Sequence, residues 1–496
     1  MILKSDADRN DAKQIFLICL IAAIVVYFYE LTNFSLSVDE EYAFFSWPKE
    51  GLLWWVALGR WGAAFVDYIY RINVYTPGLT VFIMITINGL TAVMVSFYTF
   101  RNYFSRLVFC VFFVSFPQFA YQAQFSQQAD TVAFGQLLSC LSGLIIYNSI
   151  FSDHKANIKR LYLGIIILAF SIGIYQSLIS CALIVFIIQL IVKEDDDFEG
   201  RGRNWFLILS VACVSSLAVY YLIMIISQKA LGVSTPDYLR GTFHWMKEPL
   251  QETAKNSLHV ITSTLTGKYY YGSSLVPLVF IPIVFFVYKR IKTGSYKWSL
   301  PILIIISVLL PFSVVLALGG SQGPRVLMGL SILFAFAFAY SLEVLERLSL
   351  KTKKIIAILA CLVMVNYSSS VVTSLFYSDH MAREIDSNIA NRILSSIQFK
   401  YNDFDPRHDK VSFVGKLDVY NPWAKKNSDT FGVSMFSFSN GDPNRMSKFI
   451  SLTSGISLNL HIASEEQKIS VSLFPSWPNS GSISKNDGVY YVNLGY

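Results

Sequence analysis

The sequence predicts a polytopic α-helical membrane protein that carries a small α/β domain at its C-terminal end. Of the 496 residues, 54% are hydrophobic and only 15% are charged, which excludes an ordinary soluble globular protein. Apolar runs long enough to cross a bilayer recur up to about residue 376. Beyond that point the chain becomes polar, and the helical and alternating patterns of a soluble fold replace the apolar runs.

About eleven segments are predicted as transmembrane helices. They cover residues 14–33, 77–98, 105–122, 130–150, 161–175, 177–192, 205–227, 274–289, 299–318, 325–345 and 355–374. The fifth and sixth come from one apolar run, which we divide at the polar triplet Tyr175-Gln176-Ser177 because a single helix of that length would overshoot the bilayer. Residues 1–376 are therefore a predicted membrane domain, and residues 377–496 a predicted α/β domain.

The distribution of Lys and Arg predicts the orientation of the chain. These residues gather in short loops on one side, as the positive-inside rule expects of cytoplasmic loops. The N-terminus is then cytoplasmic, and the outer loops 34–76 and 228–273 share the periplasmic face of a bacterial inner membrane with the C-terminal domain. This topology accounts for the net charge of +7, so we expect membrane lipid as a partner and no nucleic acid. The acidic run at residues 194–197 falls on the cytoplasmic side and is interpreted as a solvated turn.

Three successive carboxylates, Asp39, Glu40 and Glu41, directly follow the first span. A carboxylate at the mouth of a membrane cavity can accept the proton of a sugar hydroxyl, and apolar surroundings raise its pKa toward the working pH. The alternative is an acidic cluster that caps a helix and faces water. In an extended segment, alternation would turn Asp39 and Glu41 to one side and Glu40 to the other. A short tryptophan-rich helix lying on the membrane surface is predicted at residues 48–61.

Two arginines at the outer ends of apolar segments are candidates for binding a lipid-linked phosphate. Arg60 lies on the predicted surface helix, and Arg325 follows the glycine-rich turn at residues 319–324. Guanidinium groups bind phosphate through two parallel hydrogen bonds, and backbone N–H groups of such a turn can bind the same anion. The alternative is snorkelling of both side chains to lipid headgroups.

Four further residues are candidates for substrate binding at the outer ends of spans. Asp130 either faces the cavity or caps the fourth span. Tyr175 and Gln176 stand at the break between the fifth and sixth spans, and Tyr270 lies on the second outer loop. Tyrosine rings stack on sugars, although tyrosines at this depth also form the aromatic belt of membrane proteins. Glutamines before the fourth span, Gln122 among them, can bind sugar hydroxyls or form a wetted turn.

No cofactor is expected. The six cysteines all fall in apolar segments, the six histidines are scattered, and neither shows the spacing of a metal site. A divalent metal held by carboxylates alone is the alternative, and we favour metal independence.

The order of these motifs resembles the GT-C class of membrane glycosyltransferases and, more closely, the serotype-converting O-antigen glucosyltransferases of the Gtr family. The resemblance is carried by Ser37-Val38-Asp39-Glu40-Glu41, Leu58-Gly59-Arg60-Trp61 and Tyr175-Gln176-Ser177, and by two C-terminal stretches, residues 474–483 and 489–495. It covers essentially the whole chain.

The resemblance implies an inverting hexosyltransferase that uses undecaprenyl-phosphate-glucose as donor and lipid-linked O-antigen as acceptor on the periplasmic side. It also implies a donor-synthesising transferase and a flippase in the same pathway. The acidic pair of the family falls on Asp39 and Glu40, one of them the general base, with Glu41 as an additional acid. Two alternatives stay open: an O-antigen polymerase or ligase, which would not need carboxylates after the first span, and a lipid-linked glycan transporter or flippase, which would place charges within spans.

Overall fold

The computed structural model describes residues 6–46, 49–70, 76–151, 157–193, 205–245, 247–292, 299–345 and 349–495. Most of them are helical. In chain order the α-helices are α1 (Asp6–Val26), α2 (Phe28–Thr32), α3 (Glu40–Ser46), α4 (Lys49–Ala57), α5 (Trp61–Tyr70), α6 (Pro77–Thr99), α7 (Tyr103–Val114), α8 (Ala120–Ala123), α9 (Ser126–Phe151), α10 (Ile158–Ile174), α11 (Ile179–Val192), α12 (Trp205–Leu231), α13 (Asp237–Gly241), α14 (Leu250–Leu265), α15 (Phe280–Lys292), α16 (Ser299–Leu309), α17 (Ser313–Leu318), α18 (Gly329–Val344), α19 (Leu350–Lys400), α20 (Pro443–Ser454) and α21 (Glu465–Ser472). The acidic run predicted as a cytoplasmic turn, residues 194–197, lies outside the described residues.

The chain divides into two compact units. The membrane unit comprises Met1–Thr32 and Pro48–Thr373, and the C-terminal unit comprises Asn33–Trp47 and Ser374–Tyr496. The sequence places the domain boundary at residue 376 and assigns the whole of loop 34–76 to the membrane domain. In the structure, the first part of that loop, which carries the three acids, belongs to the C-terminal unit.

Among the described residues, seven helices are long and apolar enough to cross a membrane. They are Pro77–Thr99, Tyr103–Ala123, Ser126–Phe151, Trp205–Leu231, Ser273–Lys292, Ser299–Leu318 and Leu350–Lys400, and each coincides with a predicted span. The other four predicted spans are also helical, but α1 begins with charged residues and the remaining three contain 17 residues or fewer. The prediction of a helical membrane protein is confirmed, whereas the count of about eleven spans stays a prediction.

The predicted break between the fifth and sixth spans is present. Helix α10 ends at Ile174, and Tyr175 has an extended backbone with φ −153° and ψ 120°. A single 3-10 turn, Gln176–Leu178, follows before α11 begins. The backbone hydrogen bonding of a continuous helix is therefore interrupted at Tyr175 and Gln176.

The C-terminal unit contains a mixed β-sheet. Its described strands are β1 (Lys410–Gly415), β2 (Asn459–Leu460), β3 (Ile483–Asn486) and β4 (Val489–Gly495), in the order β2-β1-β4-β3. Strand β1 pairs parallel with β2 and β4, and β3 pairs antiparallel with β4. The two strands predicted from the sequence, at residues 410–417 and 489–494, are thus the central pair.

Both faces of this sheet are covered. Tyr490 and Val492 of β4 pack in a core with Ile393 and Ile397 of α19, while Val489 and Tyr491 belong to a second cluster on the other face. Successive side chains of a strand point to opposite faces of the sheet. Because each face is covered by its own core, the side chains on both faces of β4 are apolar, and the strand is a continuous apolar run in the sequence. Helices α19 and α20 pack on this sheet, and both contact the first loop.

Candidate active site

The three acids of the first loop lie at a tight turn in the C-terminal unit. The N–H of Glu40 donates to the C=O of Ser37 at 3.2 Å, and the N–H of Ser37 donates to Oε2 of Glu40 at 2.8 Å. Asp39, the third residue of this turn, has a φ of +79°, a left-handed conformation that Asp and Asn tolerate better than most residues. Helix α3 begins directly afterwards at Glu40. Glu40 therefore closes the turn, and Asp39 projects from it.

Arg445 holds the other two acids. It lies in the first turn of α20, whose N-cap Asp442 accepts the N–H of Asn444 at 2.9 Å. Nη2 of Arg445 donates to Oδ1 of Asp39 at 2.6 Å, and Nη1 donates to Oε1 of Glu41. Asp39 and Glu41 thus face one guanidinium while Glu40 turns back to the backbone. The alternation expected from the sequence arises here at the start of a helix and not in an extended segment.

Aromatic side chains enclose the guanidinium of Arg445. Its central carbon lies 5.0 Å from the ring centroid of Tyr42 and 4.9 Å from that of Phe438. The hydroxyl of Tyr42 donates to Oδ2 of Asp442 at 3.2 Å. Since aromatic faces attract a guanidinium and restrict its orientation, Arg445 has little freedom to leave its two carboxylates.

The two carboxylates bound by Arg445 differ in exposure. The side chain of Asp39 is 43% exposed, whereas that of Glu41 is fully buried. Burial raises the pKa of Glu41 to about 7, although the charge of Arg445 acts in the opposite direction. Among the described residues, nothing hydrogen-bonds the buried Oε2 of Glu41. Asp39 is therefore the carboxylate that a substrate can reach, and Glu41 the one that changes charge near neutral pH.

Two buried acids of α19 hold other segments of the C-terminal unit, and one of them contacts the first loop. Asp379 accepts the hydroxyl of Ser37 at 2.7 Å and the N–H of Gly432 at 2.9 Å. One helical heptad further on, Asp386 accepts the N–H of Met435 at 2.8 Å. Both carboxylates are fully buried and hydrogen-bonded. Asp379 fixes Ser37 of the first loop, Asp386 fixes the backbone at Met435, and neither buried carboxylate is a candidate for contact with a substrate.

Arg60, in the membrane unit, follows a glycine turn between α4 and α5. Gly59 has a φ of +74°, and a Cβ built there would lie 2.8 Å from the hydroxyl of Tyr220. Only glycine fits this position without strain. Nε2 of Gln176 donates to the C=O of Leu58 at 3.0 Å and so holds the same turn. Gln176, predicted to bind substrate, is a support of the Arg60 turn in this structure.

The guanidinium of Arg60 contacts other predicted site residues. It lies 4.6 Å from the ring centroid of Tyr175 and 5.4 Å from that of Trp55, and Nη1 donates to Oε1 of Gln128 at 2.8 Å. Tyr175 is buried. The structure thus brings Arg60, Tyr175 and Gln176 together, with Tyr175 stacked on the arginine.

Asp130 is buried in α9 beside another acid. Its Oδ1 accepts the N–H of Thr131 at 2.8 Å, and the hydroxyl of Thr131 donates to Oδ1 of Asp67 at 2.8 Å. Thr131 therefore links two buried carboxylates, Asp130 of α9 and Asp67 of α5. Asp67 was not singled out from the sequence.

Arg325 lies in a 3-10 turn, Pro324–Val326, that precedes α18. Its guanidinium is 4.2 Å from the ring centroid of Phe125, and it forms no ion pair with any residue that the structure describes. Part of the glycine-rich turn before it is already hydrogen-bonded within the protein. Its N–H groups at Gly320 and Gln322 donate to the hydroxyls of Ser257 and Tyr269.

Tyr270 and Gln122 are buried polar residues in the same unit. The ring of Tyr270 lies edge-on to Tyr121, 5.5 Å away, and only 3% of the residue is exposed. No described residue hydrogen-bonds the Tyr270 hydroxyl or either amide atom of Gln122. Buried polar groups are rarely left without partners in proteins, so these atoms are candidates for contact with a ligand or ordered water.

A metal site is not evident in the described part of the chain. There, no three or more His, Cys, Asp and Glu side chains are arranged to hold a metal ion. In the C-terminal unit, the position between the Asp39 and Glu41 carboxylates is filled by the guanidinium of Arg445.

Helices long and apolar enough to cross a membrane place the protein in the class of helical membrane proteins. A family model described as glucosyl transferase GtrII matches residues 28–342. That range is more than half of the chain, so the protein belongs to the GtrII family and is a glucosyltransferase. The resemblance to the Gtr family is thereby confirmed. Comparisons with curated proteins and with solved structures found no match. The matched range includes Asp39, Arg60 and Arg325 and ends before Arg445.

Proposed function

We propose that this protein transfers glucose from undecaprenyl-phosphate-glucose to lipid-linked O-antigen repeat units, with inversion, on the periplasmic side of the bacterial inner membrane. The family match supports glucosyl transfer within a membrane. The basic loops predict a cytoplasmic N-terminus and a periplasmic C-terminal unit. In this proposal a first-loop carboxylate deprotonates the acceptor, and an arginine binds the phosphate of the donor.

Asp39 is the general base in this proposal, and the observation that carries it is the pairing of Asp39 with Arg445. A base must come within hydrogen-bond reach of the hydroxyl that it deprotonates. Glu41 is fully buried, and Glu40 is 2% exposed with Oε2 bound to the backbone of Ser37. Asp39 is 43% exposed and fixed at one oxygen by Arg445 at 2.6 Å. It alone of the three combines access with a defined position.

The reaction is a single displacement at the anomeric carbon. The proton of the acceptor hydroxyl passes to Asp39 as the acceptor oxygen bonds to the anomeric carbon of glucose. The bond between that carbon and the phosphate oxygen breaks, and undecaprenyl phosphate leaves with the electron pair. Attack opposite the leaving group inverts the configuration. A phosphate needs no acid catalyst to leave, and cationic side chains can stabilise its charge without a metal.

Arg325 is the stronger candidate for the donor phosphate. Its guanidinium is half-buried on the face of Phe125 and has no ion pair with a described residue. Such a charge is stabilised when an anion arrives. Arg60 already donates to Gln128 and stacks on Tyr175 and serves as a second cation of the same unit. Buried groups of Gln122, Asp130 and Tyr270 supply hydrogen-bonding partners for sugar hydroxyls.

Mass spectrometry of lipopolysaccharide tests this proposal. Cells that make an O-antigen are compared with and without the full-length protein, and we expect a gain of one hexose per repeat unit. Asp39→Asn removes the base but keeps a residue that tolerates the left-handed turn, and we expect modification to fall about 10²- to 10⁴-fold. Asp418→Asn is the matched control, because Asp418 is 90% exposed in the same unit and contacts only Lys416, at 3.9 Å, among the described residues.

Two outcomes would contradict the proposal. Full modification by the Asp39→Asn variant at normal protein level would remove Asp39 from the chemistry. A changed length of the O-antigen chains, without added hexose, would favour a polymerase.

A further inference from the structure

Arg445 occupies a position that its own helix disfavours. It is the third residue of α20, and a cation in the first turn opposes the helix macrodipole. Asp442 caps this helix end, and Nε of Arg445 lies 3.9 Å from Oδ2 of Asp442. The dipole and one capping acid do not explain why the guanidinium points to the first loop. The two additional carboxylates, Asp39 and Glu41, supply the attraction.

We infer that Arg445 is a positioning residue for glucosyl transfer, which holds the exposed carboxylate of Asp39 against the buried carboxylate of Glu41. This inference rests on the proposed function, because it concerns the base of that reaction. Asp39 and Arg445 are 406 positions apart in the sequence. The residue also lies outside the range that matches the GtrII family.

The geometry explains why Asp39 needs such a partner. Its carboxylate projects from a four-residue turn and is 43% exposed, so by itself it would rotate freely in water. Glu41 is immobile because it is fully buried at the start of α3. Because one guanidinium binds both carboxylates, the fixed position of Glu41 also restricts the position of Asp39. Displacement of a reacting group by about 1 Å costs on the order of 10²-fold in rate.

Arg445 also links the charge of Asp39 to that of Glu41. When Glu41 is ionised, it shares the positive charge of the Arg445 guanidinium with Asp39. When Glu41 is protonated, the whole positive charge of Arg445 acts on Asp39 and makes that carboxylate a weaker proton acceptor. The charged groups that face Glu41 are Arg445 of α20, Arg383 of α19 and Asp39 of its own turn. Burial raises the pKa of Glu41 to about 7, and Arg445 lowers it. The rate should therefore fall as the pH drops through about 7.

The test measures transfer from radiolabelled undecaprenyl-phosphate-glucose in membranes that contain the full-length protein and lipid-linked O-antigen. Arg445→Lys keeps the charge but loses the two-pronged geometry, and we expect kcat to fall about 10- to 100-fold with little change in the KM for the donor. Arg445→Gln removes the guanidinium through which Glu41 acts on Asp39, so we expect kcat to fall and the acid limb near pH 7 to be lost from the pH–rate profile. Asp39→Asn is measured in parallel.

Lys448→Met is the matched control. Lys448 lies one turn further along α20, near the rings of Tyr42 and Phe45, and has no ion pair with the first-loop acids. This variant removes a cation from the same helix, and we expect the wild-type kcat and pH–rate profile.

The outcomes separate the inference from the proposed function. If Asp39→Asn abolishes transfer while both Arg445 variants retain the wild-type kcat and pH–rate profile, Arg445 is not a positioning residue. If the Arg445 variants only lower the amount of folded protein, with unchanged kcat per folded molecule and an unmoved acid limb, its role is structural and the inference fails. If Asp39→Asn itself retains transfer, the proposed function fails first.

Discussion

Arg445 donates a hydrogen bond to the carboxylate of Asp39 over 2.6 Å, although almost the whole chain separates the two residues. The same guanidinium contacts Glu41, which follows Asp39 by two positions. The first part of the loop after α1 and α2 is therefore part of the C-terminal unit, and its acids are hydrogen-bonded by a residue from near the other end of the sequence.

The titration of Glu41 makes stability depend on pH. Its pKa is raised from 4.5 to about 7, so the folded protein binds this proton more tightly than the unfolded chain. The free energy of unfolding should consequently fall as pH rises from about 4.5 to 7, by up to about 3 kcal/mol from this group. Glu41→Gln cannot titrate and lacks this contribution. We expect the difference in unfolding free energy between wild type and Glu41→Gln, measured in detergent, to change steadily between pH 5 and 7 and to level off at higher pH. A difference that does not vary with pH would show that Glu41 titrates normally.

Replacement of Arg325 should weaken donor binding. A hydrogen bond to a charged group contributes about 1.5–3 kcal/mol, so we expect Arg325→Gln to raise the KM for undecaprenyl-phosphate-glucose at least about 10-fold. Arg106→Gln is the matched control, because Arg106 also stacks on an aromatic ring, that of Phe97 at 4.0 Å, but pairs with Asp8 at 3.3 Å. Transfer assays over a range of donor concentrations measure both. Equal donor KM values in the two variants would refute a role of Arg325 in donor binding.

Gln122→Leu should separate stability from activity. Both amide atoms of Gln122 are buried without a hydrogen-bond partner among the described residues, so leucine removes a desolvation cost of about 1–3 kcal/mol. We expect the melting temperature to stay equal or rise while transfer per folded molecule falls. In the control Gln189→Leu, a hydrogen bond from Nε2 to Thr99 at 2.7 Å is lost. That variant should be less stable with unchanged transfer, and a Gln122→Leu protein with full activity would make Gln122 a purely structural residue.

Gly59→Ala should disturb the turn that presents Arg60. The left-handed φ of +74° costs a non-glycine residue about 1–2 kcal/mol, and the new methyl group would approach Met224 Sδ to 2.9 Å. We expect a lower melting temperature and reduced transfer. Gly78→Ala is a suitable comparison, because Gly78 stands in the first turn of α6 with no atom within 4 Å of an added Cβ. There alanine should be neutral or slightly stabilising, and equal losses in both variants would contradict the argument.

Much of the fold follows from patterns within short windows of sequence. Apolar runs locate the membrane-crossing helices, and the polar triplet beginning at Tyr175 locates the break between α10 and α11. The strands β1 and β4 show as apolar stretches because both faces of the sheet are covered. These features depend on hydrophobicity and local backbone preferences, which a single sequence displays directly.

The candidate site is predicted only where its residues lie close together in the sequence. Three adjacent acids mark the first loop, but nothing near Arg445 in the sequence indicates that it pairs with residues 39 and 41. Long-range pairing of charges depends on the packing of α3 against α20, which no local pattern encodes. Asp379, seven residues before Asp386 on α19, binds the hydroxyl of Ser37 in the first loop, whereas Asp386 binds the backbone at Met435.

The glycine-rich turn before Arg325 has tertiary partners that its sequence does not indicate. Its composition suggested free backbone donors for an anion, yet hydroxyls of Ser257 and Tyr269 already accept hydrogen bonds from it. Those partners come from α14 and the segment after it, and their hydroxyls carry no sequence signal for this contact. The N–H groups of Gly320 and Gln322 are therefore already used within the protein, and the phosphate site stays a prediction.

The long separation between Asp39 and Arg445 has a consequence for biosynthesis. Ribosomes add roughly 5–20 residues per second, so the first loop precedes its arginine by roughly 20–80 s of translation. During that interval a nascent chain already contains the three acids but not the helix that orients them. Prematurely terminated polypeptides that lack α20 would therefore contain the three acids without the arginine that binds Asp39 and Glu41.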